Sequence, residues 1–197
     1  HGVYVISIGV IVEPEQAVVL RGPRLGGLLR QFIQDCLWPE LDFLVIDLPP
    51  GTGDIQLTLV QTVPVTGAIM VTTPQEVAVI DAVKAMNMFL LPNVNVPILG
   101  VVENMSWFTP EELPDNKYYL FGKGGGEQLA RLAESTILAQ IPLVQSVREA
   151  GDMGLPAATQ QDHILSGIFS KMAQNTVQQI QKRNELSEPT RIVKVQS

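Results

Sequence analysis

The chain of 197 residues carries a net charge of −7, with 46% hydrophobic and 17% charged residues, which is enough apolar material for a sizeable core and excludes global disorder. No apolar run approaches the roughly 18 to 20 residues of a membrane-spanning helix, and an acidic chain without a basic patch argues against a nucleic-acid surface. A single cysteine, Cys36, excludes an intrachain disulfide, fits the reducing cytoplasm and cannot ligate an iron–sulfur cluster by itself.

Val3–Val12 reads as a strand. It has no basic leader region, and a chain that opens without Met, directly in a strand, is expected to be an internal stretch of a longer protein. Leu25, Leu28, Leu29, Phe32, Ile33 and Cys36 follow the i, i+3, i+4, i+7 spacing of an amphipathic helix, which Trp38-Pro39 ends. Phe43–Ile46 predicts a second strand with both faces covered. Asp54–Val63 predicts a helix, and Gly67–Val71 a buried strand. After it, Thr73, Pro74 and Glu76 form a capping box, opening a helix whose buried stripe is Val79, Val83, Met86 and Leu90.

Pro97–Val102 is the next expected strand, Gly126–Glu134 a short helix and Thr136–Ile141 the last strand. A helix from about Asp162 to Arg183 turns Leu165, Ile168, Phe169 and Met172 inward, before a polar tail expected to be poorly ordered or extended. The alternation predicts an α/β fold: a three-layer, mostly parallel sheet with helices on both faces, in one domain over 1–183, with 184–197 as a tail. Ligands in such sheets bind at the carboxyl ends of the strands.

One segment concentrates chemistry. In LDFLVIDLPPGTGD, Asp47 stands at a strand end, where a carboxylate either holds Mg2+ through water or merely caps a turn. Pro49-Pro50 stiffens the exit, Gly51 and Gly53 let the backbone approach a ligand, Thr52 adds a hydroxyl and Asp54 can cap the next helix.

DLPPGTGD resembles the Walker B and switch II segment of the Mrp/ApbC iron–sulfur carrier ATPases, deviant P-loop NTPases related to MinD, ParA and the nitrogenase iron protein. In the same order, Arg21-Gly22-Pro23 resembles the family's RGP, Thr73-Pro74-Gln75 its TPQ and Val102-Glu103-Asn104-Met105-Ser106 its VENMS. Phe121-Gly122 with Gly124-Gly125 resembles its FGxGG, and Ile141-Pro142 its IP motif.

The resemblance implies that Asp47 is the Mg2+-associated carboxylate and Gly51 lies near the γ-phosphate. Thr52, Gly53 and Asp54 complete a switch that moves on ATP hydrolysis. It further implies that Asn104 reads adenine with its amide and that Pro142 closes the base pocket; as a residue alone, Asn104 also suits a strand-end turn. The implied function is an ATP-dependent homodimer for iron–sulfur cluster assembly or transfer to client proteins, acting without membrane or nucleic acid. A MinD/ParA-like positioning ATPase and a non-hydrolysing scaffold are the alternatives.

Two departures qualify it. No G-x-x-x-x-G-K-[ST] or KGGVGK[ST] occurs, so the phosphate lysine is expected upstream of His1 and this stretch is expected not to turn over ATP by itself. Gly122-Lys123-Gly124-Gly125-Gly126 is followed by Glu127 and Gln128, so it reads as a turn and helix start. The family's C-x-x-C for a shared 4Fe–4S cluster is also missing: Trp107–Leu120 holds no cysteine and is either a partner-binding loop or a surface excursion.

Overall fold

A computed structural model of the protein describes residues 2–11, 22–49, 54–110, 112–113, 115–159 and 164–193. The chain divides into two compact units, His1–Pro64 with Ile192–Ser197, and Val65–Arg191. Among the described residues, no helix is long and apolar enough to cross a membrane.

In the first unit, α1 (Ile8–Ile11) is a single helical turn, α2 spans Gly22–Gln34 and α3 spans Asp54–Thr62. The apolar stripe of α2 is half-buried, as its spacing predicts, while Arg30, Gln31 and Gln34 face out. α2 packs on α3, where Leu59 and Val60 are 2% and 1% exposed. The helix stops at Gln34, so Cys36 lies just past it, and the Trp38 indole N–H donates to the Phe32 carbonyl at 2.9 Å.

Neither strand expected in this unit forms. Val3–Ser7 is unpaired, Ile8–Ile11 coils into α1, and Val12 lies outside the described residues. Phe43–Ile46 is extended but unpaired, with Val45 89% exposed. An apolar run becomes a strand only when a neighbour takes its N–H and C=O groups. Among the described residues of this unit, neither run has such a neighbour.

The second unit is built on three parallel strands in the order β1 (Ala68–Thr72), β2 (Ile98–Phe108), β3 (Ile137–Leu143). α4 (Glu76–Leu90) crosses from β1 to β2 and α5 (Gly125–Leu132) lies between β2 and β3 in sequence. α6 (Gln145–Asp152), a 3-10 turn at Ala157–Thr159 and α7 (Ile164–Leu186) follow. Val102 and Glu103, consecutive in β2, point to opposite faces. Val102 packs beneath α7 with Leu138, Ile141 and Leu165, flanked by Ile168, Phe169 and Met172, the residues whose spacing foretold this contact. Glu103 lies beneath the start of α5. Helices therefore cover both faces of the sheet, as expected.

Three local expectations need correction. α4 begins at Glu76 with Gln75 as its N-cap and no side-chain cap bond, so the capping box from Thr73 does not form; Pro74 is used instead in packing against α5. The buried stripe of α4 is Val79, Ala82, Met86 and Phe89, while Leu90 is 41% exposed. A step of three from Val79 turns the stripe toward β1 and α5, on which the helix rests. The polar tail is not loose over its described part: α7 runs on to Leu186, Thr190 Oγ1 donates to the Val65 carbonyl at 2.6 Å, and Val193 N–H donates to the Val60 carbonyl at 2.9 Å.

Candidate functional site

Because β1, β2 and β3 run parallel, their carboxyl ends share one edge, and three of the sequence motifs arrive there together. Thr72-Thr73-Pro74 leaves β1, Glu103-Asn104-Met105-Ser106 lies in the outer half of β2, and Ile141-Pro142 lies near the end of β3. Asn104 is in register with Ile141, and Pro142 follows Ile141 in β3. Register thus brings Asn104 and the Ile141-Pro142 motif to one edge of the sheet.

The turn around Asn104 is held by three devices. Met105 takes φ +55°, a left-handed conformation that costs a non-glycine residue roughly 1 to 3 kcal/mol. The Met105 N–H donates to Asn104 Oδ1 at 2.9 Å. The buried Ser106 hydroxyl donates to the Glu103 carbonyl, also at 2.9 Å. The β2–β3 register breaks between Asn104 and Phe108, as expected where a strand bends away from its partner. Asn104 is half-buried, and its Nδ2 makes no hydrogen bond among the described residues. The amide oxygen is engaged by its own turn, which leaves the NH2 as an available donor at the sheet edge.

Beneath this turn lies a group that sequence reasoning missed. Glu103 is 2% exposed, and both its carboxylate oxygens are occupied: Oε2 accepts the Gly126 N–H at 2.7 Å and Oε1 accepts Gln140 Nε2–H at 3.0 Å. The signal was present in sequence as a carboxylate closing the apolar run Ile98–Val102 and an amide inside the equally apolar Ile137–Ile141. Only strand register makes them partners.

The glycine run shows what this junction demands. A Cβ on Gly126 would lie 2.7 Å from Glu103 Cβ, and one on Gly125 would lie 2.5 Å from the Pro74 carbonyl oxygen. The segment is a turn and helix start, as its sequence implied, and the Gly126 N–H is spent on Glu103. Gly125→Ala is expected to destabilise the protein by about 1 to 3 kcal/mol, since the obstruction is backbone and cannot rotate aside. Gly167→Ala, with open space around an exposed glycine in the first turn of α7, is expected to stabilise by up to about 0.5 to 1 kcal/mol. Paired urea denaturation curves check both signs.

The interval after the turn is ordered by aromatic contacts. Phe108 and Tyr118 exchange backbone hydrogen bonds at 2.8 Å in each direction. Lys117 sits over the Trp107 ring at 4.0 Å and Lys123 over the Tyr119 ring at 3.7 Å. Of the other predicted site residues, Asp47 and Asp54 belong to the first unit: Asp47 is exposed on the extended segment after Ile46, and Asp54 opens α3. Gly51, Thr52 and Gly53 lie outside the described residues, as does Arg21 of the RGP segment.

A parallel sheet covered on both faces, with its turn motifs gathered at the carboxyl edge, defines an α/β fold of the P-loop NTPase class. The chain belongs to the ParA-type family described as NUBPL iron-transfer P-loop NTPases, whose model matches residues 1–178. It is 48% identical over 161 residues to the iron-sulfur cluster carrier protein of Synechocystis, covering 82% of this chain and 45% of that protein. Against the iron-sulfur cluster carrier protein of Escherichia coli K12 the identity is 44% over 187 residues, covering 94% of this chain and 50% of the relative. The chain therefore spans about half the length of these relatives. Among solved structures, the nucleotide-binding protein of Archaeoglobus fulgidus in complex with ADP is similar, with a TM-score of 0.58 and 38% identity, covering 66% of this chain and 52% of that one.

Proposed function

We propose that the protein is a nucleotide-binding component of iron–sulfur cluster delivery, in which the turn at Asn104 reads adenine and a nucleotide-driven switch acts on client transfer. The observation that supports the reading is the meeting of Asn104 and the Ile141-Pro142 motif at the carboxyl edge of β2 and β3, in a chain matched to the iron-transfer family over residues 1–178. The relatives' names supply the cargo, and the similar ADP complex supports the nucleotide.

In this reading Asn104 Nδ2 donates to an acceptor nitrogen of the base, while Oδ1, which keeps a second lone pair beside the Met105 N–H, accepts from the exocyclic amine that adenine carries and guanine replaces with an acceptor oxygen. Pro142 contributes an apolar wall. ATP is the nucleotide hydrolysed by the complete protein, with Mg2+ as its counterion. The exposed Asp47 carboxylate, with no ion pair among the described residues, would help hold Mg2+ through water, and the ion would supply charge neutralisation at the phosphates. Gly51, Thr52, Gly53 and Asp54 form the switch, and the protein acts as a homodimer in the cytoplasm.

The cluster is cargo. Among these 197 residues Cys36 is the one thiol, and a 4Fe–4S cluster takes several thiolates, so the residues present do not make a cluster site of their own. The role is tested by depleting the protein in its own cell. Iron–sulfur enzymes are expected to lose activity while their apoprotein levels hold. Undiminished activity across several such enzymes would remove the delivery role.

A further inference from the structure

We infer that Glu103 is a positioning residue for base recognition: it fixes where Asn104 stands relative to Pro142, and so sets the preference for adenine, without touching nucleotide. This inference rests on the nucleotide-binding reading above.

Three contacts converge on the one residue. Its carboxylate accepts from the Gly126 N–H at the start of α5 and from Gln140 Nε2 on β3, and its backbone carbonyl accepts from Ser106 Oγ within the turn. Glu103 thereby ties the end of β2 to the neighbouring strand, to the helix above and to the turn that carries Asn104. Packing alone does not account for it. A buried carboxylate carries a large desolvation cost, and apolar residues of similar volume often replace buried charged groups without loss of stability. What an apolar side chain cannot do is accept two hydrogen bonds from two different elements and so pin both at once.

The pinned geometry is the one that matters for a base. Asn104 follows Glu103 directly and is in register with Ile141, one residue before Pro142. Gln140, the partner of the carboxylate, precedes Ile141. The Glu103–Gln140 bond at 3.0 Å is thus the cross-link immediately inside the Asn104–Ile141 pair, next to Pro142. If it is lost, β2 and β3 are free to shift there by tenths of an ångström, and hydrogen bonds to a base edge weaken steeply with distance and angle.

The test measures equilibrium binding of ADP and of GDP to the protein and to the variants Glu103→Met, Gln140→Leu and Glu103→Gln, with thermal melting followed in parallel. The wild-type protein is expected to prefer ADP. Glu103→Met is expected to lose about tenfold of that preference through weaker ADP binding, the scale of one displaced hydrogen bond. Gln140→Leu removes only the cross-strand bond, is the gentler change for folding, and is expected to lose a smaller part of the same preference. Glu103→Gln is expected to keep it, because its amide oxygen still accepts from Gly126 and its NH2 can donate to a rotated Gln140.

A lower melting temperature with an unchanged ADP-to-GDP ratio in Gln140→Leu would show a structural role only and overturn the inference, even if Glu103→Met does not fold. A wild-type protein that does not bind ADP would instead overturn the nucleotide reading beneath it. The two failures are therefore told apart by the wild type.

Discussion

Asn104→Asp is expected to weaken ADP binding about tenfold or more while leaving the fold intact, a loss on the scale of one to two recognition hydrogen bonds. The substitution is chosen for what it retains. An aspartate at this position still presents an oxygen to the Met105 N–H, now 2.9 Å from Asn104 Oδ1, so the left-handed turn at φ +55° keeps its support. It loses only the NH2 donor, replacing it with a negative oxygen that repels an acceptor nitrogen on the base. Asn104→Ala removes both functions and is expected to lower stability as well, because the strained Met105 backbone is left with an unpaired N–H. Isothermal titration with ADP separates the two, and wild-type ADP affinity in Asn104→Asp would remove Asn104 from the site.

Leu165→Ala is expected to cost about 2 to 5 kcal/mol of stability, the range for emptying a fully packed leucine position. Leu165 is 1% exposed and sits against Val102, Leu138 and Ile141, at the point where α7 closes one face of the sheet. The site cannot readily collapse to fill the space. The Asn175 amide holds α7 to the Leu138 carbonyl at 2.9 Å, and Ile168, Phe169 and Met172 already occupy the flanks. By contrast, Lys84 and Asp81 form a pair whose side chains are 65% and 77% exposed, and Lys84→Ala is expected to change stability by no more than about 0.5 kcal/mol. Urea midpoints should fall sharply for the first and stay near wild type for the second, with slopes unchanged. Comparable midpoints for the two variants would contradict the assignment of the core.

The sequence made these parts legible to different degrees, for physical reasons. Gly67–Val71, Pro97–Val102 and Thr136–Ile141 are short β-branched runs that find each other as parallel neighbours, so pattern and pairing agree. Phe43–Ile46 has the same composition, yet it stays unpaired among the described residues; apolar composition announces burial, but a strand also needs a partner. α6 was not foreseen because QSVREAGD offers only Val147 and Ala150 to the core, too few for a periodic signal. The capping box at Thr73 does not form because α4 starts only at Glu76, with Gln75 as its N-cap.

At the candidate site, Asn104 and Pro142 were singled out from their motifs, and β2–β3 register sets Asn104 opposite Ile141, the residue before Pro142. Glu103 and Gln140 were not, because their meaning is a contact between residues 37 positions apart. A carboxylate at the end of an apolar strand reads as a turn until the register shows that it faces a helix N-terminus and an amide. The switch residues remain readable through resemblance alone, since Gly51, Thr52 and Gly53 fall outside the described residues.

In the proposed reading, an adenine nucleotide is read at the carboxyl edge of β2 and β3. A crystal structure of the protein with ADP tests it most directly. The base is expected against Pro142, with Asn104 Nδ2 within about 3.2 Å of a ring nitrogen and the Glu103–Gln140–Gly126 contacts unchanged. ADP bound elsewhere, or bound here with Asn104 turned away from the base, would contradict the account.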